Sequence, residues 1–170
     1  MLSEKMVMKL NYQINRELYS AYLYLSMASY ADSEGLSGFA NWFKIQAKEE
    51  EYHAEKMYNY VNQQGRRVVL EAIEQPQTDF TSIVDLFEQT LKHEKVVTSL
   101  INGLVKLARE ENDYATESFL QWYVTEQVEE EANPAEMIQK LKYVGKDGRG
   151  LLMLDKELAA RIFTPPPTGE

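Results

Sequence analysis

The sequence predicts an all-α fold: a four-helix bundle of two antiparallel hairpins joined by a long crossover, plus a short fifth C-terminal helix. Three observations carry this. Glycine and proline are scarce over four long stretches and gather between them, which is how helices are punctuated. Each stretch carries an inward line of residues at spacings of three and four. The segment between the second and third stretches is long enough to travel the length of the bundle.

Helix A is expected over about 3–33, ending before the Gly35–Gly38 turn. Helix B follows over 37–64, with Ser37 as N-cap and Gly65 as its stop. Helix C begins near Thr78–Thr81 and occupies about 80–111, and helix D starts after the capping pair Asn112-Asp113 and occupies about 114–144. A glycine-rich turn, Gly145–Gly150, leads to an amphipathic helix over 151–163. Residues 1–163 thus make a single domain, and 164–170 a Pro-rich tail that cannot continue the helix. Short A–B and C–D connections imply antiparallel hairpins. The B–C segment RRVVLEAIEQPQT reaches ~43 Å when extended, against ~42 Å for a 28-residue helix, so B and C should run parallel.

The bulk properties narrow the function. The chain has 170 residues, enough for one well-filled core. It carries 27 acidic against 18 basic side chains, which disfavours nucleic acid and anionic membrane and favours cations as partners. It has no cysteine, hence no disulfide, thiolate metal site or catalytic thiol. The N-terminal stretch lacks a continuous apolar segment and does not read as a signal peptide. No apolar run approaches the ~20 residues of a membrane helix. A soluble, cytoplasmic protein is expected.

The informative feature is glutamate where a core should be. The inward line of A includes Ile14, Glu17, Ala21 and Tyr24; that of B, Phe43, Gln46, Glu50, His53 and Met57; that of C, Leu91, Glu94 and Val97; that of D, Tyr123, Gln127, Glu130 and Pro134. None of the four lines holds a lysine or an arginine. At ~1.5 Å per residue, Glu17, Glu50, Glu94 and Glu130 lie ~20–24 Å along their helices and meet in one layer. Carboxylates gathered in an apolar core repel one another and lose hydration. Either they are protonated or a cation neutralises them, and a divalent metal pair does this best. A single inward Glu could instead snorkel outward, and a lone histidine could be an ordinary core residue. Four acids in register beside His53, which stands at i+3 from Glu50, make the Glu-x-x-His spacing of a helical metal-ligand pair.

Oxygen ligands with one imidazole suit Fe(II) or Mn(II). Two metals ~3.5–4 Å apart need a bridging carboxylate, and Glu50, central on its stripe, is the natural bridge. Glu17 and His53 then complete one metal's set, Glu94 and Glu130 the other's, with Gln127 able to hold a water or oxygen ligand.

At this point the sequence resembles the non-haem bacterial ferritins over nearly its whole length, from NRELYSAYLYLSMA through WFKIQAKEEEYHAEKM and LKHEKVVTSLINGL to TEQVEEE and LLMLDKELAARIF. The A-helix Glu, B-helix Glu-x-x-His, C-helix Glu and D-helix Gln-x-x-Glu match in order. The carboxylate arrangement of ferritin-like bundles is a general rule stated for that fold. The resemblance implies a ferritin-like four-helix bundle, a homo-oligomeric shell of 24 subunits, and an iron centre that oxidises Fe(II) to Fe(III) with dioxygen or peroxide for storage as mineral. It implies a first iron site of Glu17, Glu50 and His53, and a second of Glu50, Glu94 and Glu130 beside Gln127. A third site would be Glu49, Glu126, Glu129 and Glu130, although EEEYHAE and EQVEEE read equally well as solvated charged faces. Tyr24 matches a tyrosine beside the centre, and an inward tyrosine is equally an ordinary core residue.

Departures narrow this. Glu51 stands where bacterioferritin carries its haem-ligating methionine, so haem is not implied. There is no Cys-x-x-Cys, so no rubredoxin-like donor as in rubrerythrin. A di-iron redox enzyme without storage would use the same ligands, and a metal-free helical interaction module would not need the inward acids. Two further expectations concern the ends of the bundle. Leu151, Leu152, Leu154, Leu158 and Ile162 give the fifth helix an apolar surface suited to an oligomer contact or to its own bundle. Pro134 removes the donor for the Glu130 carbonyl and is expected to distort helix D near Glu130.

Overall fold

The computed structural model describes residues 2–165. Five helices follow in order: α1 (Glu4–Ser33), α2 (Ser37–Gln63), α3 (Ile83–Glu110), α4 (Tyr114–Val144) and α5 (Gly148–Leu158). The expected tail over 164–170 lies outside the described residues apart from Thr164 and Pro165.

Local chemistry sets the helix ends. Ser3, Ser82 and Asp113 accept from the backbone N–H three residues on and start α1, α3 and α4. At α3 the Asp85 carboxylate also accepts from the Thr81 N–H, closing a reciprocal cap. Helix C thus begins at Ile83 rather than near residue 80, because Ser82 is extended and caps. Three helices end with the same pair of reversed bonds, Leu36 N–H to Ala31 O with Gly35 N–H to Asp32 O, and their counterparts at Gly65 and Asn112. The residue at the turn has φ of 75°, 72° and 55° respectively, a left-handed conformation that suits glycine and asparagine.

Cross-helix contacts fix the directions. Ser20 meets His93, Tyr24 meets Glu94 and Thr90 meets Met27, so α1 and α3 are antiparallel neighbours. Gln46 meets Glu130, the His53 carbonyl meets Tyr123, and Tyr60 meets Thr116, so α2 and α4 are too. The crossover climbs along α1: Arg66 binds the Leu2 carbonyl and Glu4, Asn15 donates to the Glu71 and Ala72 carbonyls, and Ser26 donates to the Gln77 carbonyl. B and C are therefore parallel, an arrangement that the linker is long enough to allow.

The fifth helix departs from expectation at both ends. It begins at Gly148, because Asp147 caps it by accepting from the Arg149 N–H. It ends at Leu158, where Asn41 Nδ2 takes up the freed carbonyls of Leu158 and Arg161 at 3.1 and 2.9 Å. In return Asp155 Oδ1 accepts from the backbone N–H of Gly38 and Phe39 at 2.8 and 3.0 Å. Asp155, and not Ser37, caps the start of α2, whose N-cap residue is Leu36. Leu154 and Leu158 are buried in the bundle core, whereas Leu152, Met153 and Ile162 face outward.

Gly38 makes this docking possible. A Cβ there would lie 1.7 Å from the Asp155 carbonyl oxygen and 2.5 Å from its carbon, both backbone atoms. Gly38→Ala should therefore lift α5 off α2 and destabilise the protein by ~2 kcal/mol or more, in the range of overpacked sites. Thermal unfolding of the variant measures this, and an unchanged melting temperature would mean α5 docks differently.

The core is divided. One apolar cluster, around Tyr24, Phe39, Phe43 and Phe87, fills the end with the α1–α2 turn. Another, around Met6, Leu10, Met57, Ile101 and Tyr123, fills the opposite end. Between them lies a layer of buried polar side chains. The chain stays α-helical through Pro134, with neither a break nor a wider turn over 128–138. Glu130 still points inward and is 4% exposed, so the expected distortion is not a change of helix type.

Candidate metal centre

Each helix contributes to the polar layer through its inward stripe: Glu17 from α1, Glu50 and His53 from α2, Glu94 from α3, and Gln127 and Glu130 from α4. All six are at most 5% exposed. No lysine or arginine is among the buried residues described. Ligand atoms of Glu17, Glu50 and His53 lie within 4.8 Å of one another, as do those of Glu50, Glu94 and Glu130. Glu50 belongs to both groups, which is the geometry of a bridge. A further group joins His53, Glu126 and Glu130 on the same terms.

Hydrogen bonds aim these side chains and leave some oxygens free. Gln13 Nε2 donates to Glu17 Oε1 at 2.8 Å, and Gln46 Nε2 to Glu130 Oε2 at 2.8 Å. Tyr24 Oη donates to Glu94 Oε1, and Gln127 Nε2 donates to Glu94 Oε2 at 3.2 Å. His53 Nδ1 lies 3.3 Å from Glu50 Oε2. Glu17 Oε2 and Glu50 Oε1 are buried without any hydrogen-bond partner. Orphaned carboxylate oxygens of this kind are costly and call for an explanation. Both belong to the group that holds His53.

Electrostatics says the same. Burial, then the Glu130 charge, raises the Glu94 carboxyl to about 8. Burial, with Glu49 and Glu126 adding, raises Glu130 to about 7. Burial and Glu94 push Glu50 well above the carboxylate range. Burial alone would lower His53, but Glu50, Glu126 and Glu130 outweigh it and raise the imidazole. Burial and then Glu94 push the Tyr24 phenol up, so it stays a donor. Without a cation the layer carries protons in the neutral range, and a bound divalent ion would displace them.

The expected outer carboxylates are less gathered. Glu126 is half-buried and reaches His53 Nε2 at 3.8 Å. Glu129 is exposed and shares no ligand-distance group. Glu49 is paired with Arg161 at 2.7 Å instead. Three participants escaped the sequence reading as site residues: Gln13, Gln46 and Arg161. Gln13 stands four residues before Glu17, and that spacing was the available signal for its bond; Gln46 lies on the inward line of B, but its partner Glu130 is on another helix.

Hard oxygen donors, one imidazole and buried unpaired oxygens fit Fe(II). Comparison with known proteins agrees. A family model described as the ferritin-like domain matches residues 7–144. The bacterial non-heme ferritins of Staphylococcus epidermidis and Staphylococcus aureus are each 44% identical over 163 residues, covering 96% of this chain and 98% of theirs. Among solved structures, an open-pore ferritin from the archaeon Archaeoglobus fulgidus is 54% identical with a TM-score of 0.94, covering 95% of this chain and 99% of its own. An engineered closed form of that ferritin is also 54% identical, with a TM-score of 0.95, covering 96% of this chain and 100% of its own. No helix among the described residues is long and apolar enough to cross a membrane. The chain belongs to the ferritin family, as an iron-storage protein with ferroxidase activity, and its buried carboxylate and histidine cluster is of the kind that a ferritin metal centre uses.

Proposed function

We propose that the centre binds two Fe(II) ions bridged by Glu50, the first with Glu17 and His53 and the second with Glu94 and Glu130. The two orphaned oxygens, on Glu17 and Glu50, are the observation that carries this reading. They are buried acceptors with no protein donor, and a metal gives both a partner. Fe(II) entry releases the protons held by Glu94 and Glu130. Two Fe(II) each give one electron to dioxygen, which takes two protons and leaves as hydrogen peroxide. With peroxide as oxidant, the same two electrons and two protons yield two waters. Tyr24 keeps its proton and holds Glu94, while Gln127 steadies the other Glu94 oxygen.

The ions are substrate, so the Fe(III) moves on to mineral within a homo-oligomeric shell of 24 subunits in the cytoplasm. The outward Leu152, Met153 and Ile162 supply apolar surface for contacts between subunits. One of the similar archaeal ferritins is described as open-pored, so a shell with wider openings is the second architecture to consider. No haem enters this reading.

Aerobic addition of Fe(II), followed by particle mass and iron content, tests it. The expected particle is about 24 times the chain mass of 19.7 kDa and gains mass as iron, with the two architectures told apart by electron microscopy. A small oligomer that oxidises iron but retains none would favour the redox enzyme without storage.

A further inference from the structure

The chain's last described residues return to the metal centre. Asn41 draws the backbone after α5 over the start of α2 by holding the Leu158 and Arg161 carbonyls. This lays the Arg161 guanidinium against the Trp42 ring, 4.9 Å from its centroid, with Nη1 donating to the Trp42 carbonyl at 3.2 Å. From there Nη2 donates to Gln46 Oε1 at 2.6 Å and to Glu49 Oε2 at 2.7 Å. Gln46 in turn donates to Glu130. The guanidinium is thus linked through one side chain, Gln46, to an inner carboxylate and lies directly on Glu49, the residue before Glu50.

Of Glu49, Glu126, Glu129 and Glu130, only Glu49 has a lysine or arginine partner among the described residues, and it alone of the half-buried ones stays outside every ligand-distance group. We propose that Arg161 is a positioning residue that competes with metal for Glu49. It holds this carboxylate as a built-in counter-cation and leaves the outer position, at Glu126 and Glu130, one ligand short until the guanidinium lets go. This rests on the reading that the buried layer binds metal. The geometry gives the competition a definite strength. The pair is a single charge-assisted hydrogen bond from Nη2, with Nη1 anchored on the Trp42 carbonyl, and it is about three-quarters buried, with side-chain exposures of 23% and 25%. A divalent ion carries twice the charge, so it wins at sufficient concentration, after the inner positions have filled. An outer position weakened in this way takes ions last and releases them readily, which suits a place of transit. Trp42 and Gln46 keep Arg161 nearby when Glu49 leaves it.

The test is an anaerobic titration of the assembled protein with Co(II), read by calorimetry and by visible absorption, in wild type, Arg161→Gln, Arg161→Lys, Glu49→Gln and the Arg161→Gln/Glu49→Gln double variant. Wild type should bind two equivalents per chain tightly and a third weakly. Arg161→Gln should tighten the third step roughly three- to fivefold, the worth of a partly screened ion pair. Arg161→Lys, which keeps the charge without the guanidinium fork, should fall between. Glu49→Gln should weaken the third step, and the double variant should not recover the gain. A third step unchanged or weakened in Arg161→Gln, or equally tightened in the double variant, overturns the proposal, and so does a fall in melting temperature as the only effect. Crystals soaked in excess Co(II) give a readout that needs no variant: the outer position filled with Arg161 parted from Glu49 supports it, and the pair intact beside a filled outer position overturns it. Wild type binding nothing at the first two steps would sink the di-iron reading itself, and this proposal with it.

Discussion

Glu50→Gln should slow aerobic Fe(II) oxidation on the order of a hundredfold or more, while the metal-free variant remains at least as stable as its parent. The two halves have one cause. Glu50 is the only residue shared by the group holding Glu17 and His53 and the group holding Glu94 and Glu130, so an amide there removes the anionic bridge for both ions. Changes in residues that merely support a ligand already cost 10–100-fold in metal affinity or activity, and a shared ligand should cost more. Stability goes the other way. Glu50 Oε1 is buried and unbonded, and burial with the Glu94 charge raises the carboxyl. A neutral amide of the same shape relieves that repulsion. Glu49→Gln, by contrast, should leave most of the fast phase intact, because Glu49 lies outside both groups. Stopped-flow oxidation beside thermal unfolding checks this. Equal losses in the two variants, or a Glu50→Gln protein that melts much earlier, would mean that Glu50 serves the fold instead.

The second large effect is a reversal in how stability depends on pH. Glu94 titrates at about 8 and Glu130 at about 7 in the folded chain, against 4.5 for an ordinary glutamate. Both therefore bind their protons more tightly folded than unfolded. Their contribution is fully present below about 4.5 and is lost as the pH rises through 7 to 8. His53, also raised, acts in the same direction. The loss should be on the order of 3 kcal/mol, limited by the coupling among the three. A divalent metal binds only the deprotonated ligands, so its stabilisation grows over that interval. Metal-free protein should melt lower at pH 8 than at pH 5.5, and protein in excess Co(II) should melt higher at pH 8. Parallel trends with and without metal would show that the layer does not titrate with its ligand.

Legibility followed the range of the interaction. Helices A to D were readable to within three residues at each end, because serine, aspartate, glycine and asparagine terminate them through bonds to their own neighbours. The fifth helix was not. Its limits depend on Asn41 and on a place for Asp155 beside Gly38, contacts more than a hundred residues apart in the chain. The inner layer was readable because an acid on an apolar stripe has a direction fixed by helical periodicity. The outer carboxylates were not, since a run such as EEEYHAE turns acids to several faces at once. Glu49 and Glu129 differ in surroundings through the segment just after α5, which brings Arg161 to Glu49, and through the rotation of α4. Arg161 gave no signal at all, being one basic residue within the expected fifth helix, whereas the helix ends at Leu158 and the backbone beyond it folds back over Trp42.

Diffraction from crystals soaked anaerobically with Fe(II), recorded at the iron absorption edge, tests the central claim most directly. Two anomalous peaks are expected inside each bundle, ~3.5–4 Å apart, one among Glu17, Glu50 and His53 and the other among Glu50, Glu94 and Glu130. A bundle interior without peaks, or iron held only by exposed carboxylates on the outer surface, would contradict it.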